Sequence, residues 1–231
     1  MSFAPLRALF AGRLPALVMF DLDGTLIDSV PDISRALDAT LRARRLPPAG
    51  EALARRWVGR GSRQLLRDAL AYGGALEPER VDAQELERAL ADYLAIYLDD
   101  CTRDSRLLPG ALELVEALRG AAVTIACVTN KPQAIAERVL GHFSLLERFD
   151  AVLGGDTGAA PKPDPAPLLV LMRRFAAGAS ESLMIGDSRH DVRAARAAGV
   201  AVIACANGYN HGEDIRDERP DRVIDHLGEL L

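Results

Sequence analysis

Asp21 and Asp23 stand two apart at the end of an apolar run, in the segment FDLDGT. In an extended backbone residues i and i+2 project to the same side, so both carboxylates would face one point. Their repulsion needs a cation or a proton between them. Mg²⁺ accepts one or two carboxylates together with substrate phosphate oxygens, and a proton on the second carboxyl relieves the rest. Gly24 then lets the main chain come close to a phosphate. Asp and Gly are equally the ordinary residues of a turn after any strand, so this segment alone carries modest weight as chemistry.

Other segments repeat the pattern. Thr129 and Asn130 end a second apolar run, and Lys131 with Pro132 opens a helix, which leaves a hydroxyl, an amide and free N–H groups at one point. The same residues suit a plain helix cap. Lys162 lies between two prolines in PKPDPAPL, a stiff and extended setting that could hold one ammonium against a phosphate, although most lysines in loops are simply solvated. Asp187 ends a later apolar run and Asp191 follows one helical turn on, so both can face the same point. They could instead be a cap and a first-turn acid favoured by the helix dipole. Taken together these groups fall in order at the ends of successive expected strands, an arrangement that caps and turns do not readily produce.

The elements that must position them are short runs rich in Val, Ile and Leu: PALVMFDLDG, VTIACVTN, FDAVLGGD, SLMIGDS, VAVIACANG and a weaker DRVIDHL. Runs apolar at consecutive positions suit strands buried on both faces, and helical segments alternate with them, which predicts an α/β fold with a parallel sheet covered by helices. Open sheets of this kind bind ligands beyond the carboxyl ends of their strands. Between the first and second runs, residues 29–105 hold helical patterns and no strand-like run, far more chain than a crossover needs. Residues 1–28 and 106–231 are therefore expected to form the core, with 29–105 an inserted all-helical domain. Pro47 with Pro48, Gly59 to Gly61, and Gly73 with Gly74 punctuate its helices. Short polar or Gly/Pro segments near Asp28 to Pro31 and Asp104 to Gly110 are candidate hinges.

Composition sets the limits. The chain has 28 Lys and Arg against 33 Asp and Glu, a net charge of −5, which gives no broad electrostatic reason to attract nucleic acid. The three cysteines, Cys101, Cys127 and Cys205, show no metal or redox spacing, and a reducing cytoplasm is their simplest setting. No run approaches the roughly 18 to 20 apolar residues of a membrane-spanning helix. The first residues, broken by Pro5, Gly12 and Pro15, are expected to be a short tail before the first strand. The four histidines show no ligand spacing and are expected on the surface or in packing.

FDLDGTLIDS, the Thr129–Asn130 pair, Lys162 in its KP segment and GDSRHD resemble the four motifs of the haloacid dehalogenase superfamily, spanning nearly all of the expected core. The resemblance implies a Rossmann-like core with a helical cap. It implies Asp21 as nucleophile and Asp23 as acid and base. Thr129, Asn130 and Lys162 would hold the phosphoryl group. Mg²⁺ would be bound by Asp21, the Asp23 main-chain carbonyl and Asp187, with Asp191 in support. An acid such as Asp23 serves an alkoxide leaving group, which favours phosphate chemistry over dehalogenation.

Within the superfamily, WVGRGSRQLL, TNKP, GGD, KPDPAPL and above all NGYNHGE resemble the bacterial phosphoglycolate phosphatase family. The likeness departs at Arg60, in GRG, where that family usually has Asn between the glycines, and at Thr157, where an acidic residue is expected. Arg60 could pair with a substrate carboxylate or be a solvated loop residue. The expectation is hydrolysis of a small anionic phosphomonoester. The rivals are a sugar-phosphate phosphatase, a phosphosugar mutase, or a non-catalytic binding protein on the same fold.

Overall fold

The structure, a computed structural model, describes residues 2–231. Strands β1 (Leu17–Phe20), β4 (Thr124–Val128), β5 (Ala151–Leu153), β6 (Ser182–Gly186), β7 (Ala201–Cys205) and β8 (Arg222–Ile224) form one sheet in the order β5-β4-β1-β6-β7-β8, every neighbour parallel. These are the six runs expected from sequence. The chain winds outward from β1 in one direction and, from β6, in the other, so the crevice beside β1 is the switch point at which such sheets bind ligands.

Alternation along β1 builds two apolar layers. Val18 and Phe20 pack on one face with α6 (Ala111–Gly120) and α7 (Gln133–His142), while Leu17 and Met19 pack on the other with α8 (Ala166–Arg174) and α9 (Arg189–Ala198). Both faces are covered, which is why these strands carry consecutive apolar residues.

A second sheet has two strands. β2 (Ile27–Asp28) pairs antiparallel with β3 (Arg106–Leu107), Ile27 opposite Leu107 and Asp28 opposite Arg106. Helices α2 (Val30–Ala43), α3 (Gly50–Trp57), α4 (Ser62–Gly73) and α5 (Ala83–Asp99) fill the chain between them, broken at the expected prolines and glycines. The fully buried Asp32 accepts hydrogen bonds from the main-chain N–H groups of Asp104 (2.9 Å) and Ser105 (2.8 Å), and Arg35 joins it at 2.6 Å. The two crossings, candidate hinges in the sequence, are thus braced to each other.

The N-terminus differs from expectation. Ala4–Leu9 is a helix, α1, because Pro5 occupies a first-turn position, where its ring and missing N–H favour a helix start. Phe3, Leu6 and Phe10 are buried, and the N–H groups of Ser2 and Phe3 donate to Leu231 O at 3.2 and 3.0 Å. The segment is a docked helix and not a tail.

Candidate active site

The carboxyl ends of β1, β4 and β6 bring Asp21, Asp23, Thr129 and Asp187 together with Lys162 and Asp191. Lys162 Nζ lies 2.8 Å from Asp21 Oδ1 and 2.7 Å from Asp191 Oδ1, and it donates to Val128 O at 2.7 Å. Its three donors are therefore all engaged by protein oxygens. Burial works against its charge, but Asp191 and Asp21 outweigh burial and raise its pKa.

Asp191 unites the two roles left open by sequence. Its Oδ2 accepts from Ser188 N (3.0 Å), Ser188 Oγ (2.7 Å) and Asp187 N (3.2 Å), closing the start of α9, while Oδ1 holds Lys162. Burial alone would raise its carboxyl, but Lys162 and the Ser188 hydrogen bonds hold it below the usual value. Asp187 accepts from Thr25 Oγ1 at 2.8 Å and from Tyr209 N at 2.5 Å. Burial, then the charges of Asp21 and Asp191, push it well up. Asp21 is raised to about 6, first by burial, against the pull of Lys162.

Asp21, Asp187 and Asp191 offer carboxylate oxygens within 4.8 Å of one another. This donor set fits a divalent cation. Three carboxylates share this cluster, and Lys162 is the one ammonium paired with Asp21 and Asp191, which leaves negative charge for a cation to offset. The cradle is tight. A Cβ at Gly24, whose φ is +85°, would stand 2.3 Å from Asp187 Oδ2, and one at Gly208 would stand 2.1 Å from Asp187 Cβ.

Asp23 faces a chamber of about 40 Å³ between the sheet and the helical insertion. Thr129, Asn130 and Lys131 line it from below, and Ile33, Val58, Ser62, Leu65, Tyr93 and Tyr97 from above. Asp23 Oδ1 accepts from Ser29 Oγ and contacts Lys131 Nζ at 2.8 Å. Lys131 was read from sequence only as a helix opener, yet it is 5% exposed and reaches into the site. Thr25, Ser29, Gly208 and Tyr209 were also given no role; Thr25, Gly208 and Tyr209 meet Asp187, which is remote in sequence from Thr25 and well separated from the other two, while Ser29 meets Asp23 only six positions away.

Two expected contacts take other forms. Asn130 Nδ2 donates to Gly59 O and to Lys162 O, both at 2.9 Å, and its Oδ1 accepts from Lys162 N at 2.9 Å. Its side chain fixes two loops. The main-chain N–H groups of Leu22, Asp23 and Asn130 have no acceptor among the described residues. Arg60 is not among the residues lining the chamber; it pairs with Asp68 at 2.5 Å and is 38% exposed.

A family model for haloacid dehalogenase-like hydrolases matches residues 15–199. The chain belongs to this family. Among curated haloacid dehalogenase-like relatives, Phosphoglycolate phosphatase 1 of Pseudomonas aeruginosa is 44% identical over 222 residues, covering 96% of this chain and 80% of the relative. Phosphoglycolate phosphatase of Nitrosococcus oceani is 40% identical over 218 residues, covering 94% and 96%. A crystal structure described as a "predicted phosphoglycolate phosphatase" from Haemophilus somnus superposes with a TM-score of 0.88 at 32% identity, over 93% of this chain and 96% of that one. No helix among the described residues is long and apolar enough to cross a membrane.

Proposed function

We propose that the chain is a cytoplasmic, Mg²⁺-dependent phosphatase that hydrolyses 2-phosphoglycolate to glycolate and phosphate through a phospho-aspartate on Asp21. The observation that carries this reading is the convergence of Asp21, Asp23, Asp187 and the buried Lys162 at the switch point of the sheet. Residues 29–105 act in this reading as a cap over the chamber.

Asp21, as an anion, attacks phosphorus in line with the ester oxygen, and the bond from phosphorus to that oxygen breaks. Asp23 gives its proton to the departing alkoxide, which leaves as glycolate. Its Oδ1 is occupied by Ser29 and Lys131, so Oδ2 is the oxygen that carries the proton. Asp23 then takes a proton from water as the water oxygen attacks the phospho-aspartate, which releases phosphate and restores Asp21. Thr129 and the unpaired N–H groups of Leu22, Asp23 and Asn130 hold the phosphoryl oxygens. Asp21, Asp187 and the main-chain carbonyl of Asp23 would hold Mg²⁺, which supplies charge neutralisation for the phosphoryl group, and Asp191 keeps Lys162 and the start of α9 in place. The chamber keeps bulk water from the intermediate.

The test is phosphate release from 2-phosphoglycolate, with and without Mg²⁺, by the wild type and Asp21→Asn. Release by the wild type only, and only with the metal, is expected. Turnover by Asp21→Asn at the wild-type rate would remove the reading.

A further inference from the structure

Lys162 and Lys131 are both buried ammonium groups at the site, yet they are engaged differently. Lys162 has an oxygen for each of its three donors. Lys131 contacts Asp23 Oδ1 at 2.8 Å and donates to Tyr97 Oη at 2.7 Å, with no third acceptor among the described residues. An ammonium has three N–H donors, so one remains unengaged on a group 5% exposed that lines the chamber. Tyr97 is 2% exposed, and its oxygen accepts from Lys131, which leaves the phenolic proton free to be donated. The remaining chamber wall contributed by the helices carries no charge: Ile33, Val58 and Leu65 are apolar, and Ser62 and Tyr93 add neutral hydroxyls.

Placement adds the decisive constraint. Asp23 must touch the ester oxygen that leaves, and Lys131 touches Asp23. Lys131 meets one oxygen of that carboxyl and the leaving oxygen meets the other, so the two are at most roughly 8 Å apart, two hydrogen bonds and the width of a carboxyl group. In a phosphoglycolate the carboxylate carbon is two bonds from the same oxygen, which puts a carboxylate oxygen within reach of Lys131 while Asp23 keeps its contact. Arg60, the cation that sequence offered for this task, is paired with Asp68 outside the chamber.

Resting on the phosphatase reading, we infer that the Lys131 ammonium and the Tyr97 hydroxyl together receive the substrate's carboxylate, and so select esters with an anion two bonds from the scissile oxygen. The pair is a specificity device set beside the chemistry, with Tyr97 supplied by the cap helix α5 and Lys131 by the sheet side. Both halves meet the substrate only when the helices cover the site.

The test is a ratio: kcat/KM for 2-phosphoglycolate divided by kcat/KM for ethyl phosphate, which carries a methyl group in place of the carboxylate. Any loss of folded protein or of Asp23 function affects both esters and cancels. A charge-assisted contact is worth enough that Lys131→Gln should lower the ratio roughly 10- to 100-fold, and Tyr97→Phe should lower it by a smaller factor. Arg60→Ala should leave it unchanged. A Lys131→Gln ratio equal to that of the wild type would overturn the inference and reduce Lys131 to a positioning residue for Asp23. A wild-type ratio near unity would overturn the substrate assignment and the inference with it, while phosphate release from either ester would leave the phosphatase reading intact.

Discussion

Tyr209 donates its main-chain N–H to Asp187 at 2.5 Å, while its phenol contacts Asp28 and accepts from Ser29 N at 3.1 Å. One residue thus links a carboxylate of the Asp21–Asp187–Asp191 cluster to the first crossing into the helical insertion. Arg55 of α3 lies over its ring, 4.8 Å from the centroid.

Tyr209→Phe separates the two ends of that link. The main-chain bond to Asp187 survives, so divalent-cation affinity should stay within a factor of two or three, roughly the noise of neighbouring contacts. The Ser29 N–H loses its acceptor at a fully buried position, which costs about 1–3 kcal/mol of folding free energy. Urea unfolding and calorimetric titration with Mg²⁺ check the two halves, and a large loss of affinity with unchanged stability would contradict the division.

Gly208→Ala acts at the other end. Its Cβ would meet Asp187 Cβ at 2.1 Å, so the carboxylate must move from the direction set by Thr25 and Tyr209. Displacing an orienting partner of a ligand typically weakens a metal by about 10- to 100-fold, and the thermal stabilisation conferred by Mg²⁺ should shrink accordingly. Unchanged stabilisation by the metal would show that Asp187 is not one of its ligands.

Lys162→Met should be costly for both folding and turnover. The ammonium is the cation closest to Asp21 and Asp191, and removing it leaves buried carboxylates uncompensated, a loss of about 3–5 kcal/mol for the apo protein. Turnover should drop by roughly 10²- to 10³-fold in the fraction that remains folded, since charge at the phosphoryl group loses a preorganised partner. Denaturation with and without Mg²⁺, beside kcat on folded protein, measures both; wild-type kcat in folded Lys162→Met would exclude a catalytic contribution.

The sheet was legible because burial on both faces forces consecutive apolar residues, a signal that survives without knowing any partner. The site was legible where a residue acts from a strand end: Asp21, Asp23, Thr129 and Asp187 fall where α/β sheets place ligands. Three things were not. Helix α1 was hidden because Pro5 and Gly12 look like breakers until the docking of Phe3, Leu6 and Phe10 is known. The bonds from the Asn130 side chain to Gly59 and Lys162 were hidden because nothing local shows those two loops beside it. Lys131 looked like a helix opener because its partners, Asp23 and Tyr97, lie 108 and 34 positions away by numbering and come together only through the sheet and helix α5.

His211 and His190 predict a contact that fails in acid. His211 Nδ1 lies 2.7 Å from Arg56 O, on the insertion, and its Nε2 lies 3.2 Å from His190 Nε2. A carbonyl can only accept, so His211 Nδ1 carries the proton, its Nε2 accepts, and His190 Nε2 donates. His190 Nδ1 is then bare, and it is buried without a partner. A further proton must go either onto that atom or between two facing nitrogens. Burial, and then the charge of His211, lowers His190 from 6.5 to about 4; burial lowers His211 as well, against the pull of the Arg56 carbonyl. The positive Arg189 and Arg60 act in the same direction, and Asp191 and Glu213 oppose them. Between these values the unfolded chain binds more protons than the folded one, so stability falls as pH drops below 6.5 toward 4. Asp21, raised from 3.8 to about 6, has the opposite sign: its folded form binds more protons, so its contribution is lost as pH rises through that window. Subtracting the unfolding free energy of His190→Gln/His211→Gln from that of the wild type removes the Asp21 contribution. The difference should decline on going from about pH 7.5 to about pH 5. A difference that is flat with pH would mean that neither imidazole is held neutral by this contact.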